Sequence, residues 1–295
     1  MKLRSIGGAL ATGVLIVTVL PVAAQEESLP PVLRIFREEI KQGKSAAHEK
    51  TEASFVKMLT KHKYPNYSLA CDVVAGPSEA WFFEGHDSFK SVENAEMMVE
   101  KNPAIRADFS LLDATDGELR VNSSTMLAVF RDDLSYRAVQ FATELGKTRY
   151  FTMSIVRARP YMDARLAELG KQIIAANEKA NIEVPVATYQ IISGGQFGTY
   201  LLFSPLKTLQ TMDEAPSRMR AQMGAMGAEK AMAFSKNASE VIMSAQSFLF
   251  AINPRMSYVS KEMAAQDPDF WTPKPATTST KPAPPKSTEK PGAGQ

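Results

Sequence analysis

Two rhythms of apolar and polar positions alternate along this chain, and the order in which they alternate occurs twice. In the first half, residues 33–40 alternate with the period of two expected of a half-buried strand, and Gly43 punctuates them. A helix is predicted over 44–62. Strands are predicted over 67–74 and 80–84, a hairpin around Gly76-Pro77, with helix over 86–112, a turn at Asp116-Gly117 and a closing strand over 125–131. The second half gives a strand over 150–157, then Met162, Leu166, Leu169, Ile173, Ala176 and Ala180 at steps of three and four, the stripe of an amphipathic helix entered through Pro160. A hairpin over 186–192 and 197–203 turns at Gly194-Gly195, a methionine-rich helical stretch follows, and 247–252 is the last strand. Each half therefore reads β-α-β-β-α-β.

Landmarks recur at matching places. Arg37 matches Arg157, Trp81 matches Tyr200, and Leu134-Ser135-Tyr136 matches Met256-Ser257-Tyr258, at offsets of 120, 119 and 122. Near-constant spacing points to a duplicated unit. The fold class expected is α+β: two tandem ferredoxin-like units, residues 25–140 and 141–271, packed sheet to sheet as a pseudo-dimer. Strand alternation divides the residues between two faces. Leu33, Ile35, Leu69, Cys71, Val73, Met153, Ile155, Tyr189 and Ile191 are expected beneath the helices. Arg34, Phe36, Glu38, Asp72, Ser154, Gln190 and their neighbours, too apolar for an exposed sheet and too polar for a dry core, are expected to enclose a cavity between the sheets. On this element order and on the paired Leu-Ser-Tyr and Met-Ser-Tyr landmarks, the chain resembles the dimeric α/β-barrel superfamily over roughly residues 33–258. That resemblance implies a fold shared by cofactor-independent monooxygenases, haem enzymes and small-ligand binders, so it does not choose a function.

Lys2 and Arg4, an apolar run over 9–20 and Val22-Ala23-Ala24 read as a secretory signal over 1–24, making a periplasmic or secreted protein the expectation. Removing those two cations leaves 32 basic residues against 32 acidic ones, so the mature chain offers no footprint for nucleic acid, and no later segment predicts a membrane span. Residues 272–295, rich in Pro, Thr and Lys, predict a disordered tail that could touch the cell envelope. Cys71 is alone, so no internal disulfide exists, and its strand setting predicts a small buried hydrophobe.

No strong catalytic motif is present. His48 and His62 lie 14 positions apart on one helix, about 21 Å, and cannot share an ion. His86 is expected near the cavity mouth, the Gly-x-x-Asp-Gly pattern of dye-decolorising peroxidases is absent, and neither metal, haem nor any other cofactor is predicted. Met219, Met223 and Met226 follow core spacing rather than a copper site, and Gly194-Gly195 joins two strands rather than cradling phosphate. What remains is the expected cavity lining: Arg34, Asp72, Ser154 and Gln190, with Trp81 and Tyr200 near the rim. The function read from these features is an exported, non-catalytic protein holding a small apolar or aromatic ligand between its sheets; the alternative is a monooxygenase-like enzyme that acts on an aromatic substrate without a cofactor.

Overall fold

The computed structural model describes residues 28–272, so the expected signal sequence and nearly all of the expected tail lie outside the described residues. The first half runs β1 (Val32–Ile40), α1 (Ser45–Lys61), β2 (Ser68–Ala75), β3 (Glu79–His86), α2 (Phe89–Lys101), α3 (Pro103–Gly117) and β4 (Arg120–Phe130). After a short α4 (Ala138–Glu144) come β5 (Tyr150–Ala158), α5 (Asp163–Lys179), β6 (Ala187–Ser193), β7 (Thr199–Leu206), α6 (Ala215–Met226), α7 (Ala228–Val241) and β8 (Ile242–Ile252); α8 (Lys261–Ala265) and α9 (Pro268–Trp271) follow. The single helices expected over 86–112 and over the methionine-rich stretch are each two. Pro103 cannot donate to α2, and Asn102 Oδ1 accepts from the Ala104 and Ile105 N–H groups to start α3 afresh. Gly227, at a φ of 83°, divides α6 from α7.

The eight strands close into one antiparallel barrel in the order β1-β3-β2-β8-β5-β7-β6-β4. Within the first half the order is β4-β1-β3-β2, and within the second it is β8-β5-β7-β6. Two seams join the halves, β2 to β8 and β4 to β6, each holding four residue pairs and one register irregularity, against eight pairs in β1–β3 and in β5–β7. No helix among the described residues is long and apolar enough to cross a membrane.

The paired landmarks turn out to be reciprocal latches across these seams. Ser135 Oγ accepts from Thr188 N–H of β6 and donates to the Arg131 carbonyl; Ser257 Oγ accepts from Ala70 N–H of β2 and donates to the Asn253 carbonyl. Tyr136 exchanges two backbone hydrogen bonds with Val186, and Tyr258 does the same with Ser68. Their hydroxyls donate to Ile182 and Tyr64 carbonyls, the loops that follow α5 and α1. The Trp81–Tyr200 match is off by one residue. Trp81 sits opposite Arg37 and Thr199 sits opposite Arg157, so Thr199 is the counterpart of Trp81.

The two strand faces are the reverse of the sequence expectation. Leu33, Ile35, Cys71, Met153, Tyr189 and Ile191 point into the barrel, where they join Trp81, Phe83, Phe151, Phe203, Phe248 and Phe250 in one core. The face carrying Arg34, Phe36 and Glu38 lies beneath the helices. A narrow closed barrel fills its middle with side chains, and here these are apolar and aromatic. A helix layer can reach down with charged groups and pair what lies beneath it. Two networks do so. Arg34 donates to Glu84 Oε1 at 2.9 Å and Tyr64 Oη at 3.0 Å and also pairs with Glu96, while His86 Nε2 lies 2.5 Å from Glu84. Burial opposes the Arg34 charge, yet Glu84, Tyr64 and Glu96 outweigh it and raise its pKa. In the second network, His48 Nε2 lies 2.9 Å from Glu38 Oε2, and Arg120 donates to Glu38 Oε1 at 2.6 Å and Asp116 Oδ2 at 2.8 Å. Burial, reinforced by Glu38 and Asp116, pushes the Glu52 carboxyl well above the usual range; burial and Glu38 raise Asp116. Asp116, read as part of a turn, thus belongs to the last turn of α3 and to this buried network.

Candidate functional site

The barrel interior is divided across its middle by aromatic rings. Trp81, Phe83, Phe151 and Phe250 contact one another in chain, with Phe151 stacked on Phe250 at 5.0 Å between centroids and Phe203 edge-on to Phe83 at 5.3 Å. On either side of this partition lies a cavity, and the two differ in chemistry.

At the end where β1 and β5 finish, the cavity measures about 370 Å³ and is polar. Arg37 holds Glu79 through two hydrogen bonds, at 2.9 and 2.6 Å, and lies 5.0 Å over the Trp81 ring. Trp81 Nε1 donates to Glu79 Oε2 at 2.8 Å, so this cluster is internally satisfied. Arg157, the counterpart of Arg37, enters the same cavity and donates only to the Phe197 carbonyl at 3.4 Å; no acidic partner is present among the described residues. Ser124, Gln196, Ser244 and Gln246 complete its polar lining.

At the opposite end the cavity measures about 210 Å³ and its lining is almost wholly apolar. Leu33, Leu69, Phe83, Phe151, Ala187 and Phe203 form its walls, contributed by strands of both halves. Three segments outside the barrel plug it: Leu29 and Pro30 before β1, Phe141 and Leu145 at α4, and Val259 and Met263 after β8. The plug is fastened. Tyr189 Oη donates to the Pro30 carbonyl at 3.0 Å, Trp271 Nε1 donates to the Gly146 carbonyl at 2.8 Å, Arg149 pairs with Asp267, and the Arg149 guanidinium lies 3.9 Å over the Phe270 ring. The Asp267 carboxyl sits below its usual range because Arg149 hydrogen-bonds it. Burial alone raises the Tyr189 hydroxyl far above the phenol range, which keeps it a neutral donor.

Of the six residues expected to line the interior, only Trp81 faces it, and it lies in the partition and the polar end rather than at a rim. Arg34 is held beneath α2 in the network with Glu84. Asp72 lies on the outer face of β2, accepts from Asn253 Nδ2 at 2.8 Å, and is raised by burial. Ser154 is half-buried on the outer side of β5. Gln190 and Tyr200 also face outward and are brought together by Arg131, which donates to Gln190 Oε1 at 2.7 Å and lies 5.8 Å over the Tyr200 ring; Tyr200 Oη donates to Asp163 at 3.2 Å. The physical reason is the reversed faces: alternation grouped the residues correctly, but the helices cover the face carrying Arg34, Asp72, Ser154 and Gln190, and the opposite face closes the barrel. Conversely, the residues expected beneath the helices supply the barrel core, and Leu33, Leu69 and Tyr189 among them line the apolar chamber. His86 is buried at the outer end of β3 rather than at a mouth, and Cys71 is buried in the core, with its thiol pushed well up by burial. The plug segments were invisible to alternation because they are short, irregular and apolar only where they touch the chamber.

No protein-family profile matches the chain, and no curated protein matches it. Solved structures do resemble it. A candidate monooxygenase from Fusobacterium nucleatum is 14% identical, with 76% of this chain and 93% of that one covered and a TM-score of 0.49. An anthrone oxidase-like protein is 11% identical over 78% and 94%, with a TM-score of 0.46. A mutant chlorite dismutase from Candidatus Nitrospira defluvii in complex with cyanide is 11% identical over 80% and 95%, with a TM-score of 0.45. Likeness at this level carries no argument about activity, and the architecture rests on the strand order itself.

Proposed function

We propose that the protein is an exported binder of a small apolar molecule, held in the plugged chamber of a barrel built from two copies of a ferredoxin-like unit. The observation that carries this reading is the chamber: about 210 Å³, lined by apolar walls from both halves and by three fastened segments packed across its mouth. Apolar cavities of roughly 150 Å³ stay dry and admit benzene, so this one suits a ring with a short substituent. The lining holds no charged side chain and no histidine, and its Tyr189 hydroxyl is already engaged. A substrate there would meet no general base and no cation to stabilise an anion, which favours binding over turnover. The recurrence of strand order and latches supports the duplication, and the basic-then-apolar start of the sequence supports export.

Titrating the purified chain with toluene and naphthalene by calorimetry tests the reading. One equivalent is expected to bind, with a negative heat-capacity change. Ala187→Leu, which fills the chamber from one wall, is expected to abolish binding without loss of folding. Saturation that is indifferent to Ala187→Leu, or no binding to the folded chain, overturns it. An N-terminus at Gln25 in the protein recovered outside the cytoplasm checks the export.

A further inference from the structure

Outside the barrel, beneath α1 and α3, four ionisable side chains converge from three elements. Glu38 comes from β1, His48 and Glu52 from α1, where a spacing of four places both on one helix face, and Asp116 from the last turn of α3. All four are buried, with His48 at 2%, Glu52 at 8% and Asp116 at 1% exposure, and each offers a donor atom within 4.8 Å of the others. From this geometry we infer that Glu38, His48, Glu52 and Asp116 bind one divalent first-row transition-metal cation.

The spacing is that of ligands about a common centre. Donors roughly 2.1 Å from a cation stand about 3.0 to 3.4 Å apart at right or tetrahedral angles. Here His48 Nε2 lies 2.9 Å from Glu38 Oε2 and 3.7 Å from Asp116 Oδ1. Arg120 occupies the outer oxygens only, Glu38 Oε1 and Asp116 Oδ2, and donates also to the exposed Asp113 at 2.8 Å. Among the described residues Glu52 has neither a hydrogen bond nor an ion pair, and the inner Asp116 Oδ1 is left fully buried without a hydrogen-bond partner. Buried polar atoms in that condition call for a ligand. Charge points the same way. The carboxyls of Glu38, Glu52 and Asp116 crowd together beside a single guanidinium that the exposed Asp113 also engages, and a divalent cation at their centre would relieve that crowding. Three oxygens and one imidazole suit a divalent ion such as Mn²⁺, Fe²⁺, Co²⁺ or Zn²⁺ rather than thiophilic Cu⁺, and Arg120 then orients two ligands from outside.

The test uses the full chain, stripped with chelator and dialysed. Calorimetry with Zn²⁺ is expected to give one equivalent, a raised melting temperature, and, with Co²⁺, visible absorption bands that Zn²⁺ displaces. Glu52→Gln, nearly isosteric, is expected to lower affinity at least about tenfold, and Asp113→Asn to leave it unchanged. Should Glu52→Gln fail to fold, His48→Gln is read in its place against the same Co²⁺ bands. The inference is overturned by a folded wild-type chain that binds no equivalent of Zn²⁺ or Co²⁺, or by Co²⁺ bands that neither substitution alters.

Discussion

Replacing Phe203 by alanine should be among the costliest single changes in the barrel, and it should be reversible by a small ring. Phe203 is buried where β7 meets the partition, with centroids 5.3 Å from Phe83, 5.7 Å from Phe151 and 6.0 Å from Tyr189. Deleting a buried phenyl costs about 3 to 5 kcal/mol in transfer and cavity terms. Its ring contacts add about 0.5 to 1.5 kcal/mol each where geometry is good, which places this site in the upper half of that range. The void left by the ring opens into the 210 Å³ chamber rather than standing alone, so closed-barrel walls have little room to collapse into it. Urea denaturation followed by far-UV circular dichroism gives the loss, and repeating it in saturating benzene gives the rescue. A variant that loses less than about 1 kcal/mol, or one that benzene leaves unmoved, refutes both the packing of this core and the continuity of chamber and partition.

Arg34→Met should cost about 3 to 5 kcal/mol by stranding Glu84 beside His86, and adding Glu84→Gln should recover most of it; a double-mutant cycle in urea measures the coupling. Asp267 has its folded pKa lowered by Arg149, so its contribution is present above the ordinary aspartate range and is lost as pH falls through and below it. Trp271 emission should accordingly shift to the red in acid before global unfolding, and in Asp267→Asn that early step should vanish. Gly194 has a φ of +77° and an added Cβ would stand 2.1 Å from the Thr125 carbonyl oxygen, so Gly194→Ala should lose at least about 2 kcal/mol at the β4–β6 seam. Gly224 lies in α6 with open space around it, and Gly224→Ala should gain about 0.5 to 1 kcal/mol; thermal melts of the pair decide both.

Element order was readable because alternation and helical stripes are local. Residues 150–157 and the stripe from Met162 to Ala180 reappear as β5 and α5 within a few residues. The side on which each strand face would lie was not readable from alternation alone. Arg34 and Glu38 look like cavity polar groups until their partners are known, and those partners, Tyr64, Glu96, His48 and Arg120, come from 10 to 82 positions away. Weighing His48 only against His62 hid the nearer signal, the His48 and Glu52 pair one helical turn apart. The paired Ser-Tyr landmarks were visible as repetition, but their work could not be, because each latch holds the strand of the opposite half.

That crossing has a consequence for how the chain reaches its native state. Ser135 and Tyr136 fasten β6, Ser257 and Tyr258 fasten β2, and both seams pair residues more than 50 positions apart. Neither half can complete itself: each supplies the clasp that the other needs. The connection between them, residues 131–149, sets the local concentration at which the right clasp is met. During refolding at high protein concentration, a neighbouring molecule offers the same clasp. Exchanged dimers and short open chains, with native strands and native latches throughout, are then the characteristic failure of this topology, and dilution is its remedy.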